Sequence, residues 1–262
     1  MNKDVTVILS GYRRPQNLKL QMEALDGQTV RPTNIFYWHT NYPGLEYDFQ
    51  TIQNRCISGY ASHNFGVWGR FTYALNARTN YVCVIDDDTI PGSHWLENCI
   101  NTYEKHPGVL STVGIVFDIP KESDELTFKW LTRIGWDRPN LIPEQVDMGC
   151  HSWFFHRDIL SSFWREIPPL GFSYNVGEDM HISYTLQKYT PYKTWIPPHP
   201  PDRKELWGSL RAWELGCTPE AVSSNGENHR KMAEYLLYLR KKGFSLMANQ
   251  EDFNREYYNK YI

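Results

Sequence analysis

The chain has 262 residues, a formal net charge of −3 and a sequence pI near 6.3. This length is enough to bury a full hydrophobic core, and the slightly acidic balance gives no electrostatic footprint for nucleic acid. The five cysteines are widely spaced and include no CxxC pair, which favours reduced thiols over disulfides or zinc sites. No segment reaches the ~20 apolar residues of a membrane span. We therefore expect a soluble, cytoplasmic protein with no nucleic-acid partner.

Strand and helix patterns alternate through the first half of the chain. Apolar, β-favouring runs predict strands at residues 5–10, 34–39, 81–85 and 110–117. Helical spacing predicts helices between them, at residues 15–25, 67–76 and 93–106. This alternation predicts an α/β fold with a Rossmann-like, mostly parallel sheet flanked by helices. Sheets of this kind bind their ligands at the carboxyl ends of the strands.

The second half of the chain is less regular. Residues 118–147 lose periodicity and accumulate charges, Pro and Trp, so we interpret them as an irregular insertion. Regular elements resume at residues 152–155, 157–164, about 179 onwards, 192–196 and 228–242. We expect one domain, with a first half at about 1–117, a second half at about 118–210 and a C-terminal helical extension at about 211–262.

The most informative stretch is a predicted core strand that runs directly into three carboxylates, Asp86, Asp87 and Asp88. Three adjacent like charges at the end of a buried strand repel one another and lose hydration, so a cation is their natural partner. Oxygen ligands select Mg²⁺, Mn²⁺ or Ca²⁺, and ions of the Mg²⁺ type are usually completed by substrate phosphates. The alternative is a solvated acidic turn that caps the next helix.

Two later features add candidate chemistry. Glu178 and Asp179 open a predicted helix, and the helix N-terminus keeps a carboxylate ionised, which makes Asp179 a candidate base. An ordinary N-terminal cap explains the same pattern. His199 lies between two Pro pairs in a loop after a strand, where its imidazole would complete a metal site begun by the carboxylates. The alternative is a histidine without a ligand role.

Taken in order, these motifs resemble those of the GT-A fold glycosyltransferases. The resemblance spans most of residues 5–207 and rests on residues 11–15 (GYRRP), 64–70, 86–88, 149–157 (GCHSWFFHR), 178–179 and 199. The acidic triplet and residues 149–157 look more like the exostosin-like transferases, which retain anomeric configuration. The Glu-Asp helix start followed by a Pro-flanked His is closer to glycosyltransferase family 2, which inverts it.

The resemblance implies roles at the donor side. Asp86 would approach the ribose or the metal through water, and Asp88 with Asp86 and His199 would bind Mn²⁺ or Mg²⁺. Asp87 would also lie at the cofactor, with a role more structural than ligating. The nucleotide would be held by stacking and hydrogen bonds from Tyr12, Arg14 and Arg70. These positions resemble a uracil pocket, so the resemblance favours a UDP-sugar. A guanine pocket would need a carboxylate, for which Glu46 and Asp48 are the nearby candidates.

On the acceptor side, the resemblance implies that Asp179 deprotonates the acceptor hydroxyl. Gly149, His151, Trp153 and Glu178 would line the substrate pocket. The implied function is a metal-dependent glycosyltransferase that moves a sugar from a nucleotide-sugar to a glycan hydroxyl with inversion. The alternatives are a retaining exostosin-like transferase, a metal-dependent nucleotidyl- or phosphotransferase, and a calcium-dependent carbohydrate-binding protein.

Overall fold

The computed structural model of the chain describes residues 3–47, 49–136, 138–218, 221 and 225–261. Within these ranges the strands are β1 Val5–Gly11, β2 Asn34–Thr40, β3 Ile57–Ala61, β4 Tyr81–Ile85, β5 Gly108–Phe117, β6 Trp130–Gly135, β7 Glu144–Val146, β8 Met148–His156 and β9 Lys193–Ile196. The α-helices are α1 Asn17–Asp26, α2 Gly69–Ala74, α3 Trp95–Tyr103, α4 Ile159–Phe163, α5 Glu178–Tyr189, α6 Ala212–Gly216, α7 Gly226–Lys241 and α8 Arg255–Asn259. Short 3-10 turns lie at Gly66–Trp68, Lys204–Leu206 and Met247–Asn249.

These strands form one sheet in the order β3-β2-β1-β4-β8-β5-β9-β7, with β6 also paired to β5. The pairs β1–β2, β1–β4, β2–β3 and β5–β9 are parallel. The pairs β4–β8, β5–β8, β5–β6 and β7–β9 are antiparallel. The α/β class is therefore confirmed, but the sheet is mixed rather than mostly parallel, because β8 runs against both of its neighbours in the centre.

The sheet is buried on both faces, as its central strands require. Successive residues of a strand point to opposite faces, so Val7 and Leu9 of β1 pack with Cys83 of β4 under helices α1 and α3. Ile8 and Val84 face the other side, where helices α2, α4, α5 and α7 cover them. This burial explains why β4 is a continuous apolar run in the sequence and why β1 is mostly apolar.

The predicted elements of the first half are present, with ends that move by a few residues. Three parts of the structure were not predicted. The edge strand β3 was missed, residues 118–147 contain β6 and β7 instead of irregular chain alone, and the C-terminal tail contains α8. Strands from both halves of the chain belong to one sheet, and the largest buried cluster contains residues from before and after position 117. Among the described residues, no helix is long and apolar enough to cross a membrane.

Candidate active site

The acidic triplet lies at the edge where β1 and β4 end side by side, since these two strands are parallel neighbours. Helix α1 holds its backbone. Asn17 Nδ2 donates to the carbonyl of Asp87 at 2.9 Å, and Gln21 Nε2 donates to the carbonyl of Asp86 at 2.7 Å. Asn17 and Gln21 are four residues apart, so both face the triplet from one side of the helix. Sequence reasoning did not identify either of them.

Strand β8 reaches the same edge from the opposite direction and is irregular there. Its pairing with β5 shifts register between Ser111 and Val113, which marks a bulge. His151 lies at this irregularity with a φ of 68°, a backbone conformation that residues other than glycine rarely adopt. The backbone N–H of Asp86 donates to the carbonyl of His151 at 3.0 Å. The bulge therefore places the His151 ring against the triplet.

Asp86, Asp88 and His151 form a candidate metal centre. Each offers one ligand atom, and these atoms lie within 4.8 Å of one another. Nδ1 of His151 is buried, has no hydrogen-bond partner in the described structure and lies 3.5 Å from Asp88 Oδ1. Opposite ligands of a Mg²⁺-type ion are about 4.2 Å apart, so small movements would let all three bind one ion. Two carboxylate oxygens and one imidazole nitrogen fit Mn²⁺ or Mg²⁺.

His199 does not belong to this group. It is fully buried, and both of its ring nitrogens bond to the backbone. Nδ1 donates to the carbonyl of Pro197 at 2.7 Å, and Nε2 accepts the N–H of Gly208 at 3.1 Å. Burial lowers the pKa of His199 to about 4, so the ring is neutral in this role. These contacts occupy both ring nitrogens of His199, and the histidine that the structure places beside Asp86 and Asp88 is His151.

Two arginines neutralise part of the carboxylate cluster. Arg14 Nη1 lies 2.8 Å from Asp87 Oδ1 and 3.2 Å from Asp88 Oδ2. Arg70 donates to Asp86 through Nη1 and to Glu178 through Nη2, the latter at 2.6 Å. Both guanidinium groups are thus bonded to carboxylates in this structure, and the roles at the nucleotide that the resemblance implies for them stay predictions. Arg70 joins the candidate metal centre to the start of helix α5.

Arg70 is positioned by the core as well as by charge. Its side chain is 9% exposed, and its guanidinium carbon lies 4.9 Å from the centre of the Trp153 ring. A guanidinium over an indole face gains a cation–π attraction that grows as water is excluded. Trp153 is itself buried and donates its indole N–H to the carbonyl of Gly149 at 2.8 Å. Trp153 therefore supports Arg70 from the core and does not line an open pocket.

Gly149 is buried for a packing reason. A Cβ at this position would lie 2.1 Å from Ser111 Oγ, so only glycine fits between β8 and β5. The sequence placed Gly149, His151 and Trp153 at the sugar end of the pocket. The structure brings only His151 to the surface of the site, while the other two hold β8 in the sheet.

Burial controls the protonation of the acidic groups. Burial raises the pKa of Asp86 to about 7, against the opposing effect of Arg70. It also raises the pKa of Glu178 to about 7, with neighbouring Asp179 adding to the shift. Burial acts on Asp88 in the same direction, but the nearby His151 ring and Arg14 outweigh it and hold the pKa of Asp88 below its ordinary value. Asp88 is therefore the carboxylate that stays ionised most readily.

Asp179 is half-buried in the first turn of α5, beside the candidate metal centre. Its Oδ1 accepts the backbone N–H of Met180 at 2.8 Å, and its Oδ2 lies 3.9 Å from Cys150 Sγ. Burial raises the pKa of Asp179 to about 6, and the bond from Met180 opposes this rise. The group is thus ionised at neutral pH and close to accepting a proton, as a general base requires.

Tyr12 lies in the loop after β1, where it forms an aromatic surface. Its ring packs edge-on against Tyr42 with centroids 5.2 Å apart, and Arg13 lies over both rings. The hydroxyl of Tyr47 donates to the carbonyl of Tyr12 at 2.5 Å and holds this loop. Of the candidate guanine-binding carboxylates, Glu46 is exposed. Asp48 lies outside the described residues.

One further neighbour of the site was not predicted. The centroids of the Trp136 and His151 rings lie 4.0 Å apart. Trp136 has a positive φ of 56°. Gly216, at the end of α6, approaches so closely that a Cβ there would lie 2.5 Å from the Trp136 ring and 3.6 Å from Asp88 Oδ2. The segment around α6 therefore packs over the triplet. A positive φ at a bulky residue has no signature in the sequence.

No protein-family model matches the chain, and no curated protein matches it. Among solved structures it is similar to S. aureus TarS 1-349 in complex with UDP, with a TM-score of 0.51 and 12% identity over 89% of this chain and 70% of that one. TarS 1-349 in complex with UDP-GlcNAc gives a TM-score of 0.49 and 13% identity over 89% of this chain and 71% of that one. The chain covers 43% of a longer TarS chain.

The predicted GT-A fold class is confirmed by this likeness to TarS. At 12% identity the likeness concerns the fold alone. The choice between glycosyltransferase family 2 and the exostosin-like transferases stays a prediction.

Proposed function

We propose that the chain is a metal-dependent glycosyltransferase that moves a sugar from a UDP-sugar to a hydroxyl of a glycan acceptor with inversion. The observation that carries this proposal is the joining of two sites at one sheet edge. The candidate metal centre, Asp86, Asp88 and His151, is linked through Arg70 to the first turn of α5, which carries Asp179. The first site suits a diphosphate leaving group, and the second suits a proton acceptor.

At the donor side, Asp86, Asp88 and His151 would hold Mn²⁺ or Mg²⁺. When bound, such an ion acts as a Lewis acid that neutralises the negative charge developing on the departing nucleoside diphosphate. Asn17 and Gln21 fix the backbone of the triplet, so the carboxylates are held in place before the donor arrives. Preorganised groups of this kind stabilise a transition state without reorganising during the reaction.

At the acceptor side, Asp179 Oδ2 would accept the proton of the attacking hydroxyl. The acceptor oxygen then forms a bond to the anomeric carbon, the bond from this carbon to the phosphate oxygen breaks, and the nucleoside diphosphate leaves with the electron pair. Oδ1 accepts the backbone N–H of Met180, whereas Oδ2 accepts a weaker bond from the Cys150 thiol, so Oδ2 is the oxygen with more capacity for the proton. A single base opposite the leaving group gives inversion, which the anomeric configuration of one product by NMR will test.

UDP is the donor nucleotide that the observations favour. Tyr12 and Tyr42 offer an aromatic surface beside β1 for a small pyrimidine ring. The fold is shared with TarS 1-349, which has been solved in complex with UDP. Within the cell we propose a cytoplasmic location, because all five cysteines are free thiols.

Thermal unfolding with UDP, GDP, dTDP and CMP tests the nucleotide. With Mn²⁺ present, UDP at about 100 times its dissociation constant should stabilise the fold by about 2.7 kcal/mol. Without Mn²⁺ the stabilisation by UDP should be small, because the phosphate oxygens of UDP would bind largely through the metal ion whose coordination they complete. Greater stabilisation by GDP would overturn the choice of UDP. Stabilisation by none of the four nucleotides would overturn the transferase proposal.

Product analysis separates the remaining enzyme classes. Release of UDP with a new glycoside is the expected result. Release of pyrophosphate, or incorporation of phosphate into the acceptor, would indicate a nucleotidyl- or phosphotransferase instead. Binding of sugar with Ca²⁺ and of no nucleotide would indicate a carbohydrate-binding protein.

A further inference from the structure

Arg14 lies against Asp88, one of the three residues of the candidate metal centre. Its Nη1 lies 3.2 Å from Asp88 Oδ2 and 2.8 Å from Asp87 Oδ1, and its side chain is only 10% exposed. Its Nη2 donates to Thr218 Oγ1 at 3.3 Å. The guanidinium is therefore held against the triplet from two sides, and it supplies positive charge to the candidate metal centre.

The lone pairs of Asp88 are divided between two groups of neighbours. Oδ1 accepts the Thr89 hydroxyl at 3.3 Å and lies 3.5 Å from His151 Nδ1, while Oδ2 is bonded to Arg14. A metal ion bound to Asp88 would also stand beside the guanidinium charge, and like charges at this distance repel strongly where water is excluded. Arg14 and a divalent ion therefore oppose each other electrostatically at Asp88, even though they lie on the sides of different carboxylate oxygens.

A second partner for Arg14 is available once the nucleotide binds. Phosphate oxygens that complete the metal site would lie next to Asp88, within reach of a guanidinium that already touches this residue. The planar guanidinium matches phosphate oxygens with paired hydrogen bonds. Nε of Arg14 is buried and lacks a hydrogen-bond partner in the described structure, so the side chain has an unused donor to offer.

We infer that Arg14 is an internal counter-cation that exchanges partners. In the free protein it neutralises Asp87 and Asp88; when the divalent ion binds it leaves Asp88; and it then donates to the diphosphate of the nucleotide. The inference rests on the proposed function and assigns Arg14 to the diphosphate instead of the nucleobase. Arg14 should therefore weaken the binding of the metal ion alone and strengthen the binding of the nucleotide.

These opposite effects can be measured without turnover. Mn²⁺ alone is titrated into the protein and followed by the EPR signal of free Mn²⁺, and UDP is titrated by calorimetry at saturating Mn²⁺. In Arg14→Gln, Mn²⁺ alone should bind about tenfold or more tightly than in the wild type, because a repelling charge is gone. UDP should bind about 10- to 100-fold more weakly, because charge-assisted bonds to phosphate are lost.

Two companion variants make the test specific. Arg55→Gln removes an arginine that pairs with Asp26 at an exposed site, and it should change neither affinity. Arg14→Lys keeps the charge but loses the planar fork, so Mn²⁺ affinity should stay near the wild-type value while UDP affinity falls. If Arg14→Gln does not fold, an undiminished UDP affinity in Arg14→Lys still overturns the inference.

The outcomes separate this inference from the function on which it rests. If the wild type binds Mn²⁺ and UDP but Arg14→Gln binds Mn²⁺ no more tightly, the exchange of partners is refuted and the transferase proposal stands. Parallel weakening of both ligands would show that Arg14 only maintains the shape of the site, and this also refutes the exchange. If the wild type binds neither Mn²⁺ nor UDP, both proposals fail together.

Discussion

Replacing Arg70 by methionine should leave two buried carboxylates without their shared cation. Arg70 is bonded to Asp86 and Glu178, and all three side chains are at least 78% buried, with exposed fractions of 9%, 22% and 7%. Methionine has an unbranched apolar side chain that can still pack beside Trp153. It has no charged group or hydrogen-bond donor to replace the guanidinium. The variant therefore isolates the loss of charge from the loss of packing.

The size of the effect depends on pH. At pH 8 both carboxylates are largely ionised, and removing one partner of a buried ion pair typically costs about 3–5 kcal/mol. At pH 5 both hold a proton, since burial raises each pKa to about 7 even with Arg70 present. Neutral carboxyl groups need no cation, so the loss at pH 5 should fall to the about 1–2 kcal/mol of missing hydrogen bonds.

Urea unfolding of wild type and Arg70→Met at pH 5 and pH 8 measures this difference. In the wild type, Asp86 and Glu178 hold their protons more tightly in the folded state than in the unfolded state. Their contribution to the free energy of unfolding therefore falls as pH rises from about 4 to 7. Arg230→Met is the matched control, because Arg230 pairs with Glu234 on an exposed helix face and should change stability by less than about 0.5 kcal/mol. An equal loss at both pH values would refute the reasoning.

Three further predictions concern the site. Asp179→Asn should keep Mn²⁺-dependent UDP binding but lower transfer by about 10²- to 10⁴-fold; near-normal turnover would exclude Asp179 as the base. The pH profile of kcat/KM should fall below about pH 6 as Asp179 gains a proton, and a profile flat to pH 5 would contradict this. His151→Gly should lose Mn²⁺-dependent UDP binding with stability unchanged or higher, because glycine accepts the φ of 68°. A destabilised variant that still couples Mn²⁺ to UDP would contradict the role of His151.

The sequence was sufficient to predict the strands that are buried on both faces of the sheet. β4 is apolar along its whole length and β1 is mostly apolar, because helices cover both faces of the sheet, so these strands can be predicted from local sequence. β3 is an edge strand with exposed Ile57 and Tyr60 and a central Gly59, which gives no such pattern. The direction of β8 could not be predicted, because antiparallel pairing to β4 and β5 is decided by the path of the chain and not by its own residues.

The candidate site divides in the same way. The carboxylates Asp86, Asp88 and Asp179 were identified because strand ends and helix starts are readable from local sequence. Which histidine lies beside the triplet could not be predicted in this way, because it depends on which backbone atoms contact each ring. His199 meets Pro197 and Gly208, whereas a bulge aims His151 at the triplet. The partners of Arg14 and Arg70 are equally non-local, since each reaches carboxylates more than 15 residues away.

The charge balance of the site implies an order of binding. Five carboxylates lie near one another here, those of Asp86, Asp87, Asp88, Glu178 and Asp179, and in the part of the chain that the structure describes they are paired with two guanidinium groups, those of Arg14 and Arg70. A diphosphate that arrived first would add negative charge to this excess, at a place where burial already makes each charge costly. A divalent ion removes most of the excess and releases Arg14 for the phosphates. The ion should therefore bind before the nucleotide, and UDP alone should bind so weakly that adding Mn²⁺ strengthens it by well over an order of magnitude.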